Sequence, residues 1–306
     1  MKKKLLLSLL SLAFFVSLGI SAMAQPGSAA IGEDEFSDAY ISFSEQLASE
    51  GISAQTCLEN FISGYSAFSG GTLEQYITSM VEYEVSIATQ FDDTVSRNLE
   101  IKNEYLSTHE NTMDTVYSDS RSGGGRWYDN IGQMKPSLPQ KANYDKYKIL
   151  STVEMGDIIY ETGGGNAALV GHIAIAEGKY WDTNQKQYYI RTIEANGAGV
   201  THGVLDDDRY DYRIIKVFDV TDAIVSDRSE AVIFCRSQLG KPWSLEVPLL
   251  TPVSYSSYTV NWYCSELVWA AYYNAGINLH GSSIPRHIYT PMKLASSSKL
   301  TVRDVT

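Results

Sequence analysis

The feature that most constrains the fold is a change of sequence pattern near residue 120. Before the segment "SDSRSGGGRW" at 118–127, apolar residues recur at the spacing of one face of an α-helix. After it, short runs rich in Ile, Val and Tyr alternate with turn residues, a pattern typical of β-strands. Because one regular architecture does not suit both patterns, the chain is predicted to be α+β, with a helical region first and a sheet after it.

The helical region is predicted from about residue 33 to residue 118. The run "SDAYISFSEQLASEG" ends at Gly51, a typical helix stop, and Ser53 is placed to cap "AQTCLENFISGYSAF". From Thr72 to about Tyr117 no glycine or proline interrupts a stretch with an apolar stripe at helical spacing. We therefore expect a helical hairpin or a long helix that docks on the rest of the chain.

An antiparallel sheet packed on helices is predicted for the second half of the chain. Turn residues separate five β-type runs: "GDIIYE", "GHIAIAEG", "QYYIRTIEA", "GVTHGVL" and "YRIIKVFDV". Two helices are expected to follow, at about 222–239 and 265–275, and Gly276 caps the second. We expect a helical N-terminal region over 25–121, a linker containing Gly, Ser and Pro over 122–148, and a main domain over 149–306.

The first 24 residues have the three parts of a secretory signal peptide. Lys2–Lys4 form the charged part, Leu5–Ile20 the apolar part, and "AMA" at 22–24 an A-x-A cleavage site. Cleavage after Ala24 predicts a secreted protein, either extracellular or in the cell envelope. No later apolar run has the length of a bilayer-spanning helix, so no stable membrane insertion is expected after cleavage.

The charge balance argues against two classes of partner. The formal net charge is −12, and loss of the three lysines at 2–4 leaves 21 basic against 36 acidic residues, a formal charge of −15. Such a surface repels nucleic acid and anionic membranes, and no basic cluster offsets it. Nucleic acid is therefore not an expected partner.

The three cysteines leave at least one thiol unpaired in an exported protein. Cys57 and Cys235 lie in apolar helical patterns and are expected to be buried, and a disulfide between them stays open. Cys264, in "NWYCSELVWAAYYNAGINL", opens a helix beside Ser265 and Glu266. A helix N-terminus lowers the pKa of a thiol, so Cys264 is the candidate nucleophile, against the alternative of an inert buried cysteine.

A nucleophilic thiol needs an imidazole beside it, and two strand histidines are candidates. In "VGHIAIAEG", His172 follows Gly171, which permits close backbone approach, and two alanines on the same strand face leave room for another group. In "VTHGVL", His202 has no polar partner near it in sequence, so His172 is preferred. His280 and His287, in a loop after the helix of Cys264, are expected to face solvent.

Glu194 is the candidate that would orient the imidazole. It lies between Ile193 and Ala195, and a carboxylate among apolar residues is costly unless something pairs with it. A hairpin that closes near 182–185 brings His172 opposite roughly 194–196, at about 5 Å across the strands. The alternative for Glu194 is a surface charge on an edge strand.

Four motifs in this order resemble a known family. "GDIIYETGGGNAALVGHIAIAEG", "IRTIEANGAGVTHGVL", "SQLGKPW" and "YCSELVWAAYYNAGI" resemble the circularly permuted NlpC-type cysteine hydrolases, the YiiX/YebB/YycO-like branch of the papain-like superfamily. The resemblance covers about residues 150–290. It implies a permuted papain-like domain in which Cys264 is the nucleophile, His172 the general base and later acid, and Glu194 the orienting residue.

The same resemblance bears on the groups that hold the substrate and the oxyanion. The "LGKP" segment commonly leads to a tyrosine in this family, whereas this chain has Trp243, whose indole donates a hydrogen bond but does not accept one. Trp243, Tyr263 and Gly171 are therefore candidate substrate or oxyanion residues, together with the amides at the helix N-terminus.

The predicted function is a secreted cysteine hydrolase, a thiol peptidase that cleaves an amide or peptide-type acyl bond, with cell-wall peptide of peptidoglycan as the natural substrate. No cofactor or metal is expected, because no C-x-x-C or phosphate-binding glycine loop is present and the histidines are scattered. Two alternatives stay open, a non-catalytic papain-like binding module and an acyltransferase or lipid amidase of the same superfamily. The N-terminal helices are a pro-segment, a lid or a structural appendage.

Overall fold

The computed structural model describes residues 31–69, 71–108, 126–127, 138, 140–162, 171–244, 256–257, 259–280 and 290–306. The predicted signal peptide, most of the predicted linker, and His287 lie outside the described residues. Within them the protein is α+β, with an antiparallel sheet and a helical region before it, as predicted.

Three helices form the N-terminal region: α1 (Glu33–Ser49), α2 (Leu58–Ala67) and α3 (Leu73–Thr108). Gly51 follows α1 with a positive φ of 79°, which only glycine adopts readily. Thr72, where the predicted stretch begins, caps α3: its Oγ1 accepts from the Gln75 amide at 3.3 Å, and Gln75 Oε1 accepts from the Thr72 amide at 2.9 Å.

The predicted cap at Ser53 is wrong, because α2 begins five residues later with Cys57 as its N-cap. The intervening residues bind the neighbouring helices instead. The Gln55 amide donates to Glu84 Oε2 of α3 at 3.0 Å, and the Thr56 carbonyl accepts from the Tyr40 hydroxyl of α1 at 2.9 Å. These tertiary contacts override the local helix signal.

The rest of the chain forms a seven-stranded antiparallel sheet and five more helices within the described residues. The strands lie in the order β1-β5-β4-β3-β2-β6-β7. Their bounds are β1 Arg126–Trp127, β2 Ile158–Glu161, β3 His172–Asp182, β4 Gln187–Asn196, β5 Gly199–Leu205, β6 Ile215–Val220 and β7 Leu300–Arg303. The helices are α4 Ile149–Thr152, α5 Asp207–Arg213, α6 Val225–Ser237, α7 Cys264–Asn274 and α8 Pro291–Ala295. All five runs predicted as strands are strands, whereas β1, β7, α4, α5 and α8 had no prediction.

Two apolar cores cover the two faces of the sheet. Alternation along β3 and β4 places Ile173, Ile175, Ile193 and Ala195 in the first core, against α6 and α7. The opposite face carries the second core, which includes Ala174, Ala176 and Ile190 of the strands and Ile149 of α4. The alanine face has room for another group, as predicted: Ile149 of α4 packs there, whereas α7 packs on the other face.

The strands β3 and β4 form the predicted hairpin but separate at their far end. Their pairing runs from Asp182–Gln187 to Ile175–Ile193. Beyond that point, β3 pairs only with β2, where His172 lies opposite Glu161, and β4 pairs only with β5, where Glu194 lies opposite Thr201. The register of the Ile175–Ile193 pair, if extended, places residue 172 opposite 196, within the predicted range, but the ladder ends at that pair and leaves a gap in the pairing beyond it.

The N-terminal helices are packed into the main domain rather than tethered to it. Cys57 and Val95 are part of the first core. Asn98 of α3 donates to the Leu239 carbonyl at 2.7 Å, and the Tyr180 hydroxyl of β3 donates to the Gln55 carbonyl at 3.2 Å. These contacts join the two regions through buried surface.

Part of the segment predicted as a linker also packs on the domain. Leu138 and Ala142 are buried in the first core, and the Tyr144 hydroxyl donates to the Leu205 carbonyl at 2.8 Å. Residues 140–148 therefore line the sheet instead of spanning open solvent.

Candidate active site

Cys264 is the first residue of α7, and Tyr263 is the N-cap. The helix behind it is almost wholly buried, from Ser265 to Tyr272, so the position of its first turn is fixed by core packing. The N-cap side chain makes no capping bond. The sulfur atom therefore lies at the positive end of a rigid helix dipole.

The segment before the helix is fixed by pairing with the "GKPW" segment. The Trp262 amide donates to the Pro242 carbonyl at 3.0 Å, and the Ser244 amide donates to the Trp262 carbonyl at 3.1 Å. The buried Lys241 ammonium donates to the Ser257 carbonyl at 2.5 Å and to the Thr259 carbonyl at 2.7 Å. Trp243 is thus a buried part of the support for Cys264, paired through its backbone with Trp262.

His172 contacts both of its predicted partners. Its Nε2 lies 2.6 Å from Glu194 Oε2, and its side chain hydrogen-bonds the Cys264 thiol. Because Nε2 faces the carboxylate, Nδ1 is the ring nitrogen that faces the sulfur. The structure therefore brings Cys264, His172 and Glu194 together in one continuous chain.

The separation of β3 and β4 explains how one ring reaches both partners. Glu194 lies on the face of the second core, because its neighbours Ile193 and Ala195 belong to the first, whereas Cys264 lies on the side of the first core. His172 is at the start of β3, where the gap between the strands opens. Its ring bridges the two faces at that gap.

The surroundings of His172 favour its protonated form. Burial lowers the pKa of the ring, but hydrogen bonds and charge interactions with Cys264 and Glu194 outweigh it and raise the pKa to about 10. The ring therefore lies between two groups, Cys264 and Glu194, that both favour its imidazolium form.

Glu194 is buried and ionised. Burial raises its pKa, but the Arg209 guanidinium and the His172 ring lower it to about 2. Arg209 donates twice, from Nη1 to Oε1 at 3.0 Å and from Nη2 to Oε2 at 2.9 Å, and the Thr192 hydroxyl donates to Oε1 at 2.9 Å. The carboxylate therefore has a bidentate cation on one side and the imidazole on the other.

Arg209 and Glu161 were not predicted from the sequence. Arg209 lies in "DDDRYDYR", a segment so rich in charge that it resembles a solvated surface, yet its side chain is fully buried and also donates from Nε to Glu161 Oε1 at 2.8 Å. Asp206 caps α5 by accepting from the Arg209 amide at 3.1 Å. The one signal in the sequence was Asp206, a residue type that favours a helix N-cap, three positions before Arg209.

The other histidines and cysteines have different surroundings. His202 does have a polar partner, Glu177, whose Oε2 lies 3.2 Å from Nε2 in the first core. His280 does not face solvent as predicted, because both of its ring nitrogens are buried. Cys57 and Cys235 are free and buried, which confirms their expected burial and answers the open disulfide question.

Gly171 and Tyr263, the remaining candidate substrate residues, flank the histidine and the thiol in sequence. Gly171 has a positive φ of 77°, and a Cβ there would lie 2.7 Å from the ring of Tyr160. This close approach, as predicted for Gly171, lets β2 and β3 pair up to His172. Tyr263 is buried beside the helix start.

Metal-binding groups and membrane-spanning helices are both absent from the described residues. Within the described ranges, no group of three or more His, Cys, Asp or Glu side chains could hold a metal ion. Of the helices that the structure describes, none has the length and apolar character needed to cross a bilayer.

Comparison of the chain with protein-family models, with curated proteins and with solved structures finds no match.

Proposed function

We propose that the protein is a cysteine hydrolase that cleaves an amide or peptide-type acyl bond. The observation that carries this proposal is the continuous contact from Cys264 through His172 to Glu194, with the sulfur at a helix N-terminus. A structural cysteine needs neither an imidazole nor a carboxylate behind that imidazole. The arrangement has the nucleophile, the base and the orienting group that covalent catalysis requires.

The first half of the reaction forms an acyl-enzyme. The Cys264 thiolate attacks the carbonyl carbon and a carbon–sulfur bond forms. As the carbon–nitrogen bond breaks, the His172 imidazolium gives its Nδ1 proton to the leaving amine. Backbone amides at the first turn of α7 are placed to stabilise the oxyanion of the tetrahedral intermediate.

The second half releases the acid. Neutral His172 removes a proton from water, and the water oxygen attacks the thioester carbon. The carbon–sulfur bond breaks, which returns Cys264 to the thiolate and leaves His172 as the imidazolium. Throughout, Glu194 stays ionised and holds Nε2, so the ring keeps one orientation.

The order of the three residues supports a permuted papain-like domain of the NlpC type. In that branch the histidine precedes the polar third residue and the cysteine comes last, as do His172, Glu194 and Cys264 here. The signal-peptide pattern at 1–24 supports a location outside the cytoplasm, where cell-wall peptide is one class of amide substrate. We therefore propose a peptide of the cell wall as its substrate.

Alkylation of Cys264 by iodoacetamide between pH 4 and 9 tests the proposal without a known substrate. Peptide mapping by mass spectrometry distinguishes Cys264 from the two buried thiols. We expect wild-type Cys264 to react well below pH 8.5, the free-thiol pKa, and the His172→Ala variant to lose that low-pH reaction. A wild-type rate that follows an ordinary thiol titration and is unchanged in His172→Ala would sink the proposal and leave a papain-like binding module.

Cleavage assays then separate the substrate classes. Wild type and Cys264→Ser are incubated with purified peptidoglycan, with N-acyl amino acids and with phospholipid vesicles, and new amines are counted. Cys235→Ser is the matched control, because it removes a buried thiol outside the candidate site. Cysteine-dependent amine release from peptidoglycan supports the cell-wall proposal. Release only from the N-acyl or lipid substrates would assign a lipid amidase or acyltransferase instead.

A further inference from the structure

The carboxylate behind His172 is itself held by a buried ion pair that the mechanism above does not use. Arg209 lies between Glu194 and Glu161, and all three side chains have a relative exposure of 2% or less. With His172 they form a row of alternating charge, Glu161, Arg209, Glu194 and His172, which ends beside the Cys264 thiol. We call the group formed by Glu161, Thr192, Glu194 and Arg209 the thiol-linked cluster.

We propose that Arg209 is a positioning residue of the active site, which fixes the Glu194 carboxylate against His172 and keeps it anionic. Its guanidinium uses both terminal nitrogens on Glu194 and its Nε on Glu161, so its plane has no freedom to rotate. This inference rests on the proposed function, because it assigns a role within the same site.

Without the Arg209 cation, the buried Glu194 carboxylate would stabilise the protonated His172 ring only weakly. In a site shielded from water, an unpaired carboxylate takes up a proton and then no longer stabilises the imidazolium. The groups that face Glu194 are His172 from β3, Arg209 from α5 and Thr192 from its own strand. Arg209 is thus the permanent cation among them, whereas His172 changes charge during the reaction.

Gly203 gives an independent sign that space is reserved for this cluster. A Cβ at Gly203 on β5 would collide with Glu194 Oε1, lie 2.7 Å from Thr192 Oγ1 and lie 3.1 Å from Arg209 Nη1. Its φ does not require glycine, so the reason for glycine there is the volume that the carboxylate and guanidinium occupy.

The test compares Arg209 with Arg191, a second fully buried arginine that binds a buried glutamate, Glu177, on the other face of the sheet. The first pair of variants is Arg209→Lys and Arg191→Lys. These variants keep the positive charge but lose the planar guanidinium and its bidentate hydrogen bonds. The second pair is Arg209→Met with Glu161→Gln, and Arg191→Met with Glu177→Gln, which remove one charge of each sign. Folding is checked by circular dichroism before any rate is measured.

The readout is the pH profile of Cys264 alkylation, with kcat/KM added once a substrate is known. We expect Arg209→Lys to lower the rate about 10- to 100-fold, the range for groups that orient a catalytic ligand from behind. In the Arg209→Met with Glu161→Gln variant, the acid limb moves to higher pH because Glu194 becomes easier to protonate. The Arg191 variants keep the wild-type profile.

The outcomes separate this inference from the proposed function. If wild type reacts at low pH and the folded Arg209 variants react with the same profile, the inference is overturned and the cysteine hydrolase proposal stands. If the Arg191 variants shift the pH profile as much as the Arg209 variants, the shift reflects a general loss of packing around the sheet. The inference is then also overturned. If wild type itself shows an ordinary thiol titration, the proposed function fails, and the role of Arg209 fails with it.

Discussion

Two buried glutamates on opposite faces of one sheet have similar partners and different consequences for the histidine beside them. Glu194 binds His172 and Arg209, and Glu177 binds His202, Arg191 and Arg236. We call the group formed by Glu177, Tyr180, Arg191, His202 and Arg236 the helix-linked cluster, because the Tyr180 hydroxyl also donates to the Gln55 carbonyl before α2.

The difference between the histidines comes from their other neighbours. Burial lowers the pKa of both, but Cys264 and Glu194 raise that of His172 to about 10. For His202 the pKa stays below its usual value, because Glu177 does not outweigh burial together with the cations Arg191 and Arg236. A histidine–carboxylate contact is therefore not enough to define a catalytic site. The charged groups around the ring, together with its burial, decide whether the ring is charged.

The largest expected effect concerns the two histidines directly. Replacing His172 by Ala should lower the rate of Cys264 alkylation at pH 6 by up to about 300-fold, the ratio between a fully ionised thiol and a free thiol with a pKa of about 8.5. Replacing His202 by Gln should leave the rate within about threefold among folded molecules, although it disturbs the first core. Stopped-flow alkylation with peptide mapping measures both. An equal loss in the two variants would contradict the comparison.

The second effect is a loss in the free energy of unfolding when Arg191 is replaced. Arg191→Met leaves the buried Glu177 with one guanidinium instead of two, and breaking a buried ion pair costs about 3–5 kcal/mol. We expect that loss in the free energy of unfolding, measured by urea denaturation, without a shift in the pH profile of Cys264. A shifted profile in folded Arg191→Met would show that the two clusters are coupled.

Alanine substitutions at two glycines, one near each cluster, compare the two faces of the sheet by steric crowding. A Cβ at Gly178 would lie 2.7 Å from Cβ of Cys57, at a φ of 132°, and a Cβ at Gly203 would press on the thiol-linked cluster. Each Ala variant should lose about 1–3 kcal/mol of stability through overpacking. Only Gly203→Ala should also slow Cys264 alkylation, by about tenfold. Unchanged alkylation in Gly203→Ala would contradict the role given to Glu194.

The pH dependence of stability gives a further comparison, because the contributions of the two histidines have opposite signs. His172, with its pKa raised from 6.5 to about 10, stabilises the fold fully below pH 6.5, and that stabilisation is lost as the pH rises through about 10. His202, with a lowered pKa, must become charged on unfolding below pH 6.5, so it destabilises the fold in acid.

The Glu194 carboxylate affects the pH dependence of stability at acid pH. With its pKa lowered from 4.5 to about 2, it stabilises the fold above pH 4.5, and that contribution is lost as the pH falls through about 2. Thermal melting from pH 2 to 11 in wild type, His172→Ala, His202→Gln and Glu194→Gln checks all three signs. We expect the alkaline decline to be smaller in His172→Ala and the acid decline to be smaller in His202→Gln.

Five of the seven described strands and the three candidate site residues could be picked out from the sequence because their signals are local. Period-2 runs, the turn at 182–185 and a cysteine at a helix start need no knowledge of distant residues. The start of α2 was not predictable from Ser53, since contacts from Glu84 and Tyr40 fix that segment. The sequence pattern also does not show where β3 and β4 separate.

The support behind Glu194 was also hidden from sequence reasoning. Arg209 lies in an acid-rich segment, and only the packing of α5 on the sheet turns it inward to meet Glu161 and Glu194. Glu161 ends a strand and is indistinguishable in sequence from a solvated edge residue. Buried ion clusters depend on contacts between distant elements, so a single sequence gives little sign of them.

The most direct test of the central claim is the protonation state of His172 itself. Ring ¹⁵N chemical shifts, recorded from pH 5 to 10.5 on protein labelled at its five histidines, report that state, and His172→Gln and His202→Gln variants assign the signals. We predict that the His172 ring remains doubly protonated at pH 8, where the His202 ring is neutral, and loses its proton near pH 10. A His172 ring that titrates near 6.5, like an isolated histidine, would contradict the thiolate–imidazolium pair on which the proposed chemistry depends.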